Sequence, residues 1–186
     1  AQKGFKLVLL KNVGEAKFQK ILIPIAKSMM DETQLPDVTF DAFFTHTLMH
    51  ETAHGLGPGM IKVKQGGQVV QTDVNKALKE LYSTIEEAKA DILGLWASAL
   101  MIEKGVLPKT LERSTYASFL AGFFRSVRFG VSEAHGRANL VSFNYLLGKG
   151  GVVHDAATGR YRVDYAKIRQ AVTDLAADLL LLEARG

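Results

Sequence analysis

The chain has 186 residues, 47% apolar and 23% charged, enough for one domain with its own core and too apolar for a disordered chain. It has no cysteine, which excludes disulfides and thiolate metal sites and leaves His, Asp and Glu as metal ligands. Its net charge of +4 is spread without a basic block, and no apolar run approaches the roughly 18 residues of a membrane span. Neither a nucleic-acid partner nor a membrane is therefore expected.

The first residues, "AQKGFK", show no initiator Met and no signal-peptide pattern, so the chain reads as a processed form or an excised piece. Residues 4–13, "GFKLVLLKNV", read as a short strand. Residues 14–30 carry apolar positions at helical spacing, with Pro24 placed to kink or split the helix. "DETQLPDV" is a loop. Residues 40–54, "FDAFFTHTLMHETAH", are predicted as a helix with Asp41 near its start and Gly55 as its stop. "GLGPG" cannot continue a helix, and it is no dinucleotide fingerprint because it follows a helix instead of a strand.

Residues 60–72 look like two extended segments around Gly66 and Gly67. From 73 to 104, Ala77, Leu78, Leu81, Ile85, Ala88, Ile92 and Leu95 recur at spacings of three and four, and Gly105 and Pro108 end this helix. A capping signal at Ser83 and Glu86 suggests a break before "EEAKAD". Helices over 111–129 and 132–147, a hairpin over "VVHDAATGRYRV" and a last helix over 165–184 follow. The fold class expected is mainly α with a few short strands, a single domain over residues 1–186. Phe43, Phe44, Trp96, Phe119, Phe123 and Phe124 are core candidates, and Arg125 and Arg128 read as solvent-facing. His154 receives no role.

The chemistry concentrates in "HTLMHETAHGLGPG". His50-Glu51-Thr52-Ala53-His54 matches H-E-x-x-H. On a helix, residues i and i+4 differ by about 40° and one turn of rise, so two imidazoles reach one ion. Glu51, about 100° from His50, can act on a metal-bound water without ligating the metal. His46 is rotated about 80° from His54 and is expected to pack nearby or make an outer contact rather than ligate. A hydrolytic zinc site needs a third protein ligand. "EEAKAD" leaves two readings open. Either Glu86 and Glu87 face solvent beside Lys89, or Glu87 ligates and Asp91 accepts a hydrogen bond from a ligating imidazole. Helical geometry does not let Glu86 and Glu87 face the same way.

"HETAHGLGP" followed by "EEAKADILGLW" and "SEAHGRANLVSFNYLL" resembles the catalytic region of the dipeptidyl-peptidase III family of zinc metallopeptidases. The resemblance implies Zn²⁺ held by His50, His54 and Glu87, with Glu51 as general base. It matches Glu86 and Asp91 to carboxylates around the ligands, and His135 to a histidine that supports the tetrahedral intermediate or the substrate carbonyl. It implies removal of dipeptides from the N-terminus of short peptides. Three departures stand out. The chain has the shorter H-E-x-x-H, which some bacterial members share. Asn139 stands where animal members have arginine, which bears on substrate affinity. The chain matches only the zinc-bearing lobe, so it is expected to be a C-terminal fragment of a two-lobed enzyme, lacking the lobe that completes the peptide-binding surface. Two other readings are a non-catalytic helical interaction module with structural zinc, and a zinc hydrolase of a non-peptide substrate. A cytoplasmic location is expected ahead of a periplasmic one.

Overall fold

Helical structure begins earlier than the sequence pattern suggests. In the computed structural model, which describes residues 8–128 and 130–186, the expected strand over 4–13 is not formed where it is described. Residues 4–7 and Phe129 lie outside the described residues, 8–10 are irregular, and α1 (Lys11–Lys17) already covers the end of the expected strand. A strand here would need a partner for its backbone groups, whereas a helix satisfies its own. It also lets Gly14 lie against Phe44 and Phe40. The predicted split at Pro24 becomes a π-helical turn, Phe18–Leu22, leading into α2 (Ile23–Met29). Pro24 sits in the first turn of α2, where proline is best tolerated. The expected loop after α2 contains a 3₁₀ turn, Glu32–Asp37, started by the Asp31 side chain accepting from Thr33 N.

α3 (Phe40–Ala53) is capped by Thr39, whose hydroxyl accepts from Ala42 N. It ends as expected before "GLGPG", although Gly57, not Gly55, takes the left-handed backbone with φ 98°. β1 (Met60–Gln65) and β2 (Gln68–Asp73) form an antiparallel hairpin in which Gln65 faces Gln68. Gly66 and Gly67 both have positive φ, 58° and 83°, which this two-residue turn requires. The predicted break in the next helical segment falls earlier than Ser83. α4 (Val74–Leu78) passes through a 3₁₀ turn, Lys79–Leu81, into α5 (Tyr82–Glu103). Lys79 turns the chain with φ 52°, and Ser83 caps nothing.

α6 (Leu111–Val127), α7 (Ala134–Gly148), the hairpin of β3 (Val152–Asp155) and β4 (Arg160–Val163), and α8 (Ile168–Arg185) complete the mainly α fold. α5 is the central element, in contact with α3, α6, α7 and α8. Its Ala88, Ile92 and Leu95 are buried with Leu120, Phe123, Leu146, Val172 and Leu175. Trp96 departs from expectation, being 38% exposed. Its neighbours Ile92, Leu93 and Leu95 hold the inward positions, and the indole lies outside them.

Where α3 crosses α5, Gly94 allows backbone contact. A Cβ there would lie 2.9 Å from His50 N and 3.1 Å from His50 Cα. Both obstacles are backbone atoms, so the helices would have to move apart. Gly94→Ala is expected to lower stability by about 1–3 kcal/mol, read from the denaturant midpoint. It is also expected to weaken metal binding, because His50 and the α5 carboxylates separate together. An unchanged midpoint would show that the crossing tolerates the methyl group.

Candidate metal centre

Glu87, Asp91 and Gly94 follow one another at i, i+4 and i+7, so one stripe of α5 meets the stripe of α3 that carries His46, His50 and His54. Gly94 brings the helices together, and the two acids supply the chemistry. His50 Nδ1 donates to Asp91 Oδ1 over 2.7 Å, and His54 Nδ1 donates to Glu86 Oε1 over 3.0 Å. With both Nδ1 atoms directed at carboxylates, the two Nε2 atoms turn toward each other, 3.1 Å apart. Glu87 Oε2 lies 3.4 Å from His50 Nε2 and 4.0 Å from His54 Nε2.

These separations suit one shared ion. Donors about 2.1 Å from a tetrahedral metal stand about 3.4 Å from one another. Glu87 Oε2 supplies a second indication, for it is buried and has no hydrogen-bond partner among the described residues. An oxygen left so is costly unless something positive meets it. The donor set, two imidazoles and a carboxylate, is one that zinc favours. The sequence-predicted residues His50, His54 and Glu87 are thus brought together, and a divalent metal fits them.

His135 comes from the start of α7 and is exposed, but its Nε2 is 3.0 Å from the same Glu87 oxygen. Ligand atoms of His50, Glu87 and His135 lie within 4.8 Å of one another. His135 therefore stands close enough to ligate, or to contact whatever is bound beside the metal. Glu51 lines a cavity of about 390 Å³ together with His50, His135 and Asn139. Asn139 donates to Asp91 Oδ2 over 3.4 Å and to the His135 carbonyl over 2.9 Å.

The expectation that Glu86 and Glu87 cannot both face α3 does not hold. Their long side chains span the angular offset, Glu86 reaching His54 while Glu87 reaches between His50 and His135. Lys89, expected beside them in solvent under one reading, is buried and donates to Glu86 and to the Leu56 carbonyl. It ties the loop after α3 to the carboxylate that orients His54. His46 makes an outer contact, donating from Nε2 to the Asp91 carbonyl over 3.0 Å and packing its ring on Phe119.

The electrostatics follow from this crowding. Burial works against a charge on His50, but its Asp91 hydrogen bond and the adjacent Glu87 carboxylate push its pKa up to about 10. Burial likewise opposes the Asp91 carboxylate, yet the His50 hydrogen bond and neighbouring imidazoles hold it below the usual range. Burial pushes the pKa of His46 down. Glu86 is held low against burial by Lys89 and His54. The acids outnumber the cations here, and the cluster is arranged to receive positive charge.

Two functional features escaped the sequence. Lys89 gave no signal beyond being one basic residue among acids. Gly94 did give one, since a glycine inside a helix costs about 1 kcal/mol and needs a packing reason.

The chain is 53% identical to dipeptidyl-peptidase III from Caldithrix abyssi, whose structure matches with a TM-score of 0.91 over 96% of this chain and 33% of that protein. Dipeptidyl-peptidase III from Corallococcus sp. strain EGB matches at 48% identity and a TM-score of 0.90, over 96% of this chain and 32% of that one. A protein of Arabidopsis thaliana named Nudix hydrolase 3 is 49% identical over 185 residues, which is 99% of this chain and 23% of that protein. No family model matches the sequence. The chain thus spans about a third of the two peptidases and under a quarter of the plant protein. The chain shares about half its residues with both dipeptidyl-peptidase III proteins, and matches the fold of about one third of each over nearly all of its own length.

Proposed function

We propose that the chain is the zinc-bearing lobe of a dipeptidyl-peptidase III-like metallopeptidase, with the rest of the peptide-binding surface supplied by sequence beyond it. The observation that carries the reading is the convergence of His50 Nε2, His54 Nε2 and the buried Glu87 Oε2 beside a cavity that also holds Glu51. His50, His54 and Glu87 would hold the metal. Bound there, zinc supplies Lewis acidity toward a carbonyl and brings the pKa of a water close to neutrality.

The chain's own residues do the remaining work. Glu51 accepts a proton from the attacking water and passes it to the leaving amine. His135, at the cavity edge, donates to the carbonyl oxygen as negative charge develops on it. Asp91 and Glu86 hold the imidazoles of His50 and His54 with Nδ1 protonated, so that each Nε2 lone pair is available. The released product in this reading is a dipeptide from the N-terminus of a short peptide.

The plant protein's name denotes a different hydrolase, but the match spans only 23% of it, and the name does not say which part acts. The two peptidase structures are matched over a larger share of their length and in three dimensions, which favours peptide hydrolysis. Among the described residues no helix is long and apolar enough to cross a membrane.

The test is metal removal. Dialysis against a chelator is expected to strip the protein of activity on tri- to pentapeptides, and one equivalent of zinc to restore it. Zinc bound without peptide hydrolysis, in this chain and in the longer protein containing it, would favour a structural metal or a non-peptide substrate instead.

A further inference from the structure

The cavity beside the metal centre has an aromatic part. Phe43 and Phe44, two turns before His50 and Glu51 on the same side of α3, line it together with Phe119 and Arg125 of α6. The sequence suggested that Arg125 points to solvent. It is instead half-buried, with its guanidinium 6.0 Å from the centre of the Phe43 ring. Its Nε is buried with no hydrogen-bond partner among the described residues. The nearby carboxylate of Asp91 is already engaged by His50 and Asn139. Burial and the neighbouring Arg128 both act against the charge of Arg125, with only partial relief from Asp91.

A guanidinium in this position is expensive to keep. It carries a permanent charge and five donors in a planar fork, a shape that matches a carboxylate. Placed in a cavity with aromatic walls, it leaves room for an apolar group on one side and calls for an anion on the other.

We propose that Arg125 is a carboxylate anchor in the cavity, binding the carboxylate of a short apolar peptide whose side chains lie against Phe43, Phe44 and Phe119. The choice of a peptide as ligand rests on the peptidase reading; the anion-binding role does not. Arg125 takes no part in proton transfer and acts by fixing where the peptide lies. A charge-assisted, two-point contact of this kind is expected to strengthen binding by roughly ten- to hundredfold.

The experiment is isothermal titration of the full chain, kept free of metal so that zinc cannot capture the carboxylate, with diphenylalanine and with diphenylalanine amide. The free acid is expected to bind at least about tenfold more tightly than the amide. Arg125→Gln is expected to abolish the difference, and Arg125→Lys, which keeps the charge but not the fork, to retain part of it. Thermal melts of both variants verify that the fold is kept, and Arg125→Lys serves if the glutamine variant unfolds. Equal affinity for acid and amide, no binding of either, or a preference that survives Arg125→Gln would each overturn the proposal. The first two results would show that Arg125 holds no peptide carboxylate in this cavity. Because the readout is binding without metal, failure of zinc-dependent hydrolysis leaves this test intact, and the converse holds too.

Discussion

Replacement of Glu51 by glutamine is expected to leave a protein that takes up as much zinc as the unsubstituted chain and hydrolyses peptides about 10²–10⁴ times more slowly. Glutamine keeps the size and shape of the side chain and removes only its ability to accept a proton. Glu51 lies next to His50 on α3 and lines the cavity, whereas the atoms that would hold metal belong to His50, His54 and Glu87. Base and ligands are thus separable by mutation. The measurements are bound zinc by elemental analysis and the initial rate on a short peptide, each in the context that is active with the native residue. Full activity in the glutamine variant would show that another group takes the proton. Loss of zinc together with activity would mean that Glu51 belongs to the ligand set.

A larger effect on the metal itself is expected at Glu87. Its Oε2 atom lies within 4.0 Å of the Nε2 atoms of His50, His54 and His135, closer to a common centre than any other carboxylate oxygen described. Glu87→Ala should weaken zinc binding by more than the roughly 10–100-fold expected for Asp91→Asn, which disturbs only the support of His50. Calorimetry separates the two. Zinc at a hundred times its dissociation constant should stabilise the unsubstituted protein by about 2.7 kcal/mol. The same zinc concentration should give Glu87→Ala almost no rise in melting temperature, and Asp91→Asn a reduced one. An undiminished zinc response in Glu87→Ala would point to His135 as the third ligand.

The part of the site legible in the sequence is the part governed by helical pitch. His50, Glu51 and His54 follow from a four-residue repeat within one element, and α3 forms over the expected residues, although Thr39 and not Asp41 caps it. The candidate at Glu87 and the supporting role of Asp91 were readable because both lie on one long helix. The relation between Glu86 and Glu87 was not, since angular position fixes where a side chain starts and a glutamate's length lets it end elsewhere. Arg125 and Lys89 were misplaced for a related reason. Charge favours solvent, and each is met inside by a partner distant in sequence: the Phe43 ring for Arg125, the Leu56 carbonyl for Lys89. The strand expected over 4–13 failed because composition reports a taste for burial, not whether a partner strand exists. The β3–β4 hairpin and the two extended segments that pair as β1 and β2 were legible because their glycine-bearing turns are dictated locally.

The hydrogen bond from His50 to Asp91 joins residues only 41 apart, and the three proposed ligands, His50, His54 and Glu87, lie within that stretch. Loop closure of that length costs little more than closure of half as much chain, because the entropic cost grows only as the logarithm of length. α3 and α5 can therefore dock around Gly94 before α6, α7 and α8 are in place, making the ligand pair an early unit of assembly. A metal captured at that stage would act as a clip on a half-formed domain, so zinc should speed refolding as well as slow unfolding.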